Sequence, residues 1–169
     1  TLAPTRAVDV GSELSGTLEA VLVDDNDRVR KGQLLARLDS AKLADAVTRS
    51  RAAVTAAEAS VAQAQATVLE TRASLERLQQ VAALSGGQVP SRAELDAGRA
   101  AAARAQANLD SARAAVTQAR AVLQTDTTNI AKAVIRSPID GVVLARKVEP
   151  GQTVAAAMTT PVLSHCSGI

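Results

Sequence analysis

Between residues 40 and 133, apolar side chains return at every seventh position. The first run reads Val47, Val54, Val61, Val68, Leu75 and Ala82, and the second reads Leu95, Ala102, Leu109, Val116, Leu123 and Ile130. The intermediate seam places are mostly small: Ala57 and Ala64 in the first run, then Gly98, Ala105, Ala112 and Ala119 in the second. A sustained period of about 3.5 residues, with large and small side chains in alternation, predicts close-packed, supercoiled helices. The two arrays are equally long, and the midpoint of the pair falls at Gln88 and Val89, inside the only break, Ser85 to Pro90. An antiparallel pair folded back on itself needs that symmetry, because each layer of one helix must meet a layer of the other. At a rise of about 1.5 Å per residue each arm reaches about 60 Å, more than the stability of so small a domain requires. Two unrelated amphipathic helices on a globular core would explain the period but not the lengths.

The helix ends carry their own signals. Gly86 and Gly87 let the backbone leave the first helix, Pro90 cannot continue it, and Ser91 with Glu94 reads as a capping box opening the second. Asp39 and Ser40 are placed to cap the first helix at its far end.

On either side of the helices the periodicity is that of strands. From Ala7 to Leu38, Leu18, Ala20 and Leu22 alternate onto one face and Gln33 to Leu38 forms a further run, with Gly11, Gly16, Asn26 and Gly32 as punctuation. From Val134 to Leu163 strand patterns return, broken by Pro138, Gly141, Pro150, Gly151 and Pro161. The two regions share a pattern, V-x-x-G-Q, at Val29 to Gln33 and again at Val148 to Gln152. Two copies of one strand-turn-strand unit, separated by helices, predict two halves of a single β domain with the helices inserted. The expected class is α+β, with a β domain from residues 1–39 and 134–169 and an antiparallel coiled-coil hairpin over 40–133 whose tip is 85–91.

Composition narrows the function. Aromatic residues are absent and alanine is concentrated between residues 41 and 133, which argues against a thick globular core. The formal net charge of +2 gives no reason to invoke a nucleic-acid partner. No stretch reads as a membrane-spanning helix or an export signal. Cys166 is the single cysteine and so forms no internal disulfide; with His165 it offers two ligands, too few for a metal site. Asp24, Asp25 and Asp27 cluster in a turn without a base or a metal-ligand pattern, and read as a solvated loop. No catalytic residue, cofactor or metal is assigned.

The sequence resembles the membrane fusion protein family of periplasmic adaptors, in which a lipoyl-like β domain is split by a long helical hairpin. Val8-Asp9-Val10-Gly11 through Ser15-Gly16, then Gly32-Gln33-Leu34-Leu35 and Leu38-Asp39, resembles the first lipoyl half. Ile135-Arg136-Ser137-Pro138-Ile139-Asp140-Gly141-Val142-Val143 and Pro150-Gly151-Gln152-Thr153-Val154 resembles the second. Within the family, the V-D-V-G, S-G and G-Q-T-V segments look most like adaptors of ABC-type macrolide exporters. The resemblance implies a periplasmic adaptor, anchored in the inner membrane, that joins an inner-membrane transporter to a TolC-type outer-membrane channel and assembles as a hexameric ring with no catalysis. It also implies a docking tip: an arginine, a leucine four places on and a serine seven places after that. Leu84 and Ser91 match; Gln80 holds the arginine's place, with Arg77 three residues earlier. In the lipoyl loop, where macrolide-exporter adaptors place a pore-narrowing glutamine, this sequence has Met158. The excess of alanine on faces outside the seam, such as Ala52, Ala53, Ala56, Ala59 and Ala66, fits hairpins packed sideways on neighbours, and equally reflects helix preference.

Two rivals share these features. A lipoyl or biotinyl carrier of an acyl-transfer enzyme would present a modified lysine in a tight β turn, and Lys42, near the junction, is expected instead in the first helical turn. A structural coiled-coil spacer would have no need of the Leu84 and Ser91 spacing. The family's barrel, membrane-proximal domain and anchor have no counterpart in the sequence, so a monomer or weak oligomer is expected, and the last six residues read as a truncated end or an unrelated tail.

Overall fold

The computed structural model describes the backbone of residues 6–156 and 163–167 and the side chains of residues 8–156. The chain forms two compact units, one from Thr1–Val47 with Thr125–Ile169 and one from Thr48–Gln124.

In the first unit, two four-stranded antiparallel sheets are built from both ends of the chain. Strands β1 (Arg6–Val10), β2 (Gly16–Val21), β3 (Arg28–Val29) and β4 (Leu34–Leu38) precede the helices; β5 (Val134–Arg136), β6 (Gly141–Arg146), β7 (Thr153–Val154) and β8 (Leu163–Ser167) follow them. One sheet has the order β1-β8-β6-β3 and the other β5-β4-β2-β7, so each holds two strands from before the helices and two from after. Neither half could satisfy its ladder alone. Leu18, Leu35, Leu38 and Val143 are the largest fully buried side chains, joined by Val10, Val23, Val29, Ala36, Ala133, Ile135 and Val148.

The repeated V-x-x-G-Q has a physical cause. Val29 and Val148 are core residues, while Gly32 and Gly151 hold φ of 83° and 88°, the left-handed region where a Cβ is strained. In each copy the glutamine closes the turn on itself. The Gln33 N–H donates to the Arg30 carbonyl and its Oε1 accepts from the Arg30 N–H at 2.9 Å; Gln152 repeats both bonds with Glu149. Each turn then pairs with the other half of the chain, Gly32 and Gln33 with Ser137, and Gly151 and Gln152 with Leu18. The sequence repeat is a cross-clasp between the two halves.

Two expectations need correction. The pairing of β2 with β4 shifts register between Leu18 and Ala20, so Leu18 and Val23 turn inward while Leu22 is 57% exposed. A bulge adds one residue to one strand and reverses the alternation beyond it, which plain period-two counting misses. The described part of the last six residues is also no appendage, since β8 lies between β1 and β6 and carries His165 and Cys166 in paired register with both. A run of small and polar residues is a weak strand signal until two partners supply its ladder.

Helix α1 (Ala41–Leu84) and helix α2 (Arg92–Lys132) are continuous. At the start of α1 the Asp39 carboxylate accepts the Ala41 N–H at 3.0 Å. Within the second unit the helices pack antiparallel. Val68, Ala105 and Leu109 form a buried cluster with Val61 and Ala64 against it, Arg72 donates to Gln106 Oε1 at 2.7 Å, and Arg120 pairs with Glu58 at 2.7 Å. The partners in these cross-helix contacts stand at nearly equal distances along the chain from Gln88 and Val89, which is the register of a hairpin. Closer to the turn Gly98 lies beneath two leucines: a Cβ there would come to 3.0 Å from Leu78 Cδ1 and 3.3 Å from Leu75 Cδ1. Val47, Val54, Val61, Leu75, Leu95, Val116, Leu123 and Ile130 are half-buried, and Val68 and Leu109 are buried. Ala52, Ala53, Ala56, Ala59 and Ala66 are exposed.

Candidate functional site: the hairpin tip

The turn between α1 and α2 is assembled from short-range bonds. Gly86 and Gly87 hold φ of 64° and 85°, and the Gly87 N–H donates to the Ala82 carbonyl at 2.9 Å, ending α1 in a left-handed cap. Ser91 opens α2 as a reciprocal box. Its N–H and hydroxyl donate to Glu94 Oε2 at 2.8 and 2.9 Å, and its Oγ accepts the Glu94 N–H at 3.3 Å. These bonds from Ser91, the backbone N–H first and the hydroxyl second, hold the Glu94 carboxyl below its ordinary value of 4.5.

On this frame Leu84, the last residue of α1, is 90% exposed, and Val81 and Val89 beside the turn are exposed as well. Leucine is not needed there for packing, and Leu84 with the half-covered Val81 and Val89 leaves an apolar patch at one end of the helix pair in water. Arg77, Gln80 and Leu84 are spaced three and four apart and so share one side of α1, with both polar members exposed. Ser91 is exposed, but its hydroxyl is engaged in capping. Sequence reasoning missed Ser85, whose Oγ binds both the carbonyl and the N–H of Val89. A hydroxyl four residues before a valine carries no pattern that would have marked it.

Lys42 stands in the first turn of α1. Asp27 Oδ2 accepts the Asp24 N–H and Asp25 Oδ1 accepts the Arg146 N–H, so these aspartates build their own loop. Among the described residues no group of three or more His, Cys, Asp or Glu could hold a metal ion, and no helix is long and apolar enough to cross a membrane. Met158 lies outside the described residues.

Two sheets interleaved from both ends of the chain, together with an antiparallel helix pair that has an apolar tip, are a specific combination. The family model for the RND MFP barrel-sandwich hybrid domain matches residues 6–165. The chain belongs to the membrane fusion protein family. This family of periplasmic adaptors includes the relatives that match it: the macrolide export protein MacA of Yersinia pestis is 34% identical over 156 residues, covering 92% of this chain and 41% of the relative. The pyoverdine export membrane fusion protein PvdR of Pseudomonas putida is 32% identical over 163 residues, covering 96% of this chain and 41% of the relative. The crystal structure of MacA from Actinobacillus actinomycetemcomitans superposes with a TM-score of 0.83 at 29% identity, covering 97% of this chain and 50% of that one. The chain spans about two-fifths of the length of these curated relatives. The likeness to macrolide-exporter adaptors, first visible in V-D-V-G and G-Q-T-V, extends to the fold.

Proposed function

We propose that this membrane fusion protein bridges an inner-membrane transporter, of ABC type, to a TolC-like outer-membrane channel, and that the hairpin tip is the docking end. The assignment of residues 1–39 and 134–169 as a lipoyl-like domain and 40–133 as its hairpin belongs to the same reading. The role is scaffolding and not catalysis: the transporter selects the cargo, six adaptors ring the path, and an inner-membrane anchor holds the assembly in the periplasm. The observation that carries the docking reading is Leu84, nine-tenths exposed at the end of a helix more than forty residues long. Arg77 and Gln80 line the same side of α1 and supply the polar contacts around it.

Capture of a detergent-solubilised TolC-type channel by the immobilised full chain tests this. Leu84→Asp and Ser91→Asp are expected to weaken capture at least tenfold, since a buried unpaired carboxylate costs more than one hydrogen bond returns. Unchanged capture by both variants would leave only a spacer role for the hairpin.

A further inference from the structure

The tip presents a problem of order. Gly86 and Gly87 both occupy left-handed backbone, where glycine is at ease but also has the most alternative conformations. Of the apolar side chains on either side, Leu84 is 90% exposed and Val89 54%, so burial does little to hold the turn in one shape. A partner that had to order this turn on arrival would bind less tightly for it.

One side chain removes that freedom. Ser85 Oγ donates its proton to the Val89 carbonyl at 2.7 Å and accepts the Val89 N–H at 3.1 Å. The Ala82 carbonyl, 3.3 Å away, is the longer alternative for the single hydroxyl proton. Both backbone groups of Val89 are thereby tied to the last turn of α1, closing Gly86, Gly87 and Gln88 into a loop. Ser85 is half-buried, while Leu84 and Val89 are exposed.

We propose that Ser85 is a positioning residue for docking: by clamping Val89 to the end of α1 it presents Leu84 and Val89 together, in one geometry, before a partner arrives. This rests on the docking function proposed above. Ser85 need not touch the partner; it acts through the two apolar residues it holds.

The test measures binding of the full chain to the same solubilised channel for Ser85→Ala, Ser85→Thr, Leu84→Ala, Leu84→Asp and the double variant Leu84→Ala with Ser85→Ala, with helix content and unfolding midpoint recorded for each. The expected result is about tenfold weaker binding for Ser85→Ala, from the loss of two modest hydrogen bonds, with recovery in Ser85→Thr, which keeps the hydroxyl. The penalty of Leu84→Ala should shrink when Ser85 is already alanine, because an unclamped Leu84 contributes less; a residue that only supports the fold would leave that penalty unchanged. Faster exchange of the Val89 amide in Ser85→Ala would accompany the loss. If Ser85→Ala binds as the wild type while Leu84→Asp does not bind, the positioning role is wrong and docking stands. If binding falls only in proportion to lost helix content, Ser85 is structural and the inference fails. If Leu84→Asp binds as the wild type, the docking function falls and takes the inference with it.

Discussion

Replacing Leu109 by alanine should cost the helical unit about 2–3 kcal/mol. Leu109 is 4% exposed and packs with Val68 and Ala105, with Val61 and Ala64 beside them. Truncating a buried leucine in well-packed proteins costs about 2–5 kcal/mol, the spread reflecting how far the surroundings collapse into the space. Only three residues are buried in this cluster, so neighbouring side chains can move in and the lower part of that range applies. Helix preference adds no penalty, because alanine is at least as good a helix former as leucine. The control is Leu69→Ala on the opposing helix, where 66% exposure puts the expected change within about 0.5 kcal/mol. Urea unfolding followed by far-ultraviolet circular dichroism reads both, since α1 and α2 carry the helical signal. Equal effects for the two leucines would refute the seam packing, because position 109 would then be as solvated as position 69.

Other substitutions test other parts of the account. Gly98→Ala should change stability by less than about 1 kcal/mol, because the gain in helix preference is offset by crowding against Leu75 and Leu78, whereas Gly98→Val should cost about 2 kcal/mol by the same denaturation. The Glu94 carboxyl should titrate with a midpoint below 4.5, read from the Ser91 amide resonance. Its pKa is depressed in the folded chain, so the support it gives α2 is full above the unfolded value and lost as pH falls through the folded one; a midpoint at or above 4.5 would exclude the capping box. Gln33→Ala and Gln152→Ala should each destabilise the β unit by about 0.5–1 kcal/mol, measured as a shift of its unfolding midpoint, with Gln33→Glu retaining the acceptor and most of the stability.

The hairpin was legible because its information is one-dimensional. Sevenfold spacing from Val47 to Ile130 names the seam, and the symmetry of the arrays about Gln88 and Val89 names the turn without any knowledge of the third dimension. The two β halves were legible as a repeat, although nothing in V-x-x-G-Q announced that the glutamines close the turns or that each turn would pair with the opposite half. What could not be read was set by partners distant in the chain. The bulge that turns Leu22 outward exists only in the ladder with β4, and the last strand forms because β1 and β6 leave a place between them. At the tip, Leu84 stood out by its match to the family's docking pattern, while Ser85 did not, since its role depends on where the Gly86–Gly87 turn brings Val89.

The claim at the centre of the account is that the far end of this hairpin meets an outer-membrane channel. A photo-crosslinking amino acid placed at Leu84 in living cells addresses it most directly, with the same group at the exposed Leu22 of the β unit as the comparison. The account predicts an adduct between position 84 and an outer-membrane channel protein and no such adduct from position 22. Adducts from 22 and none from 84 would contradict it.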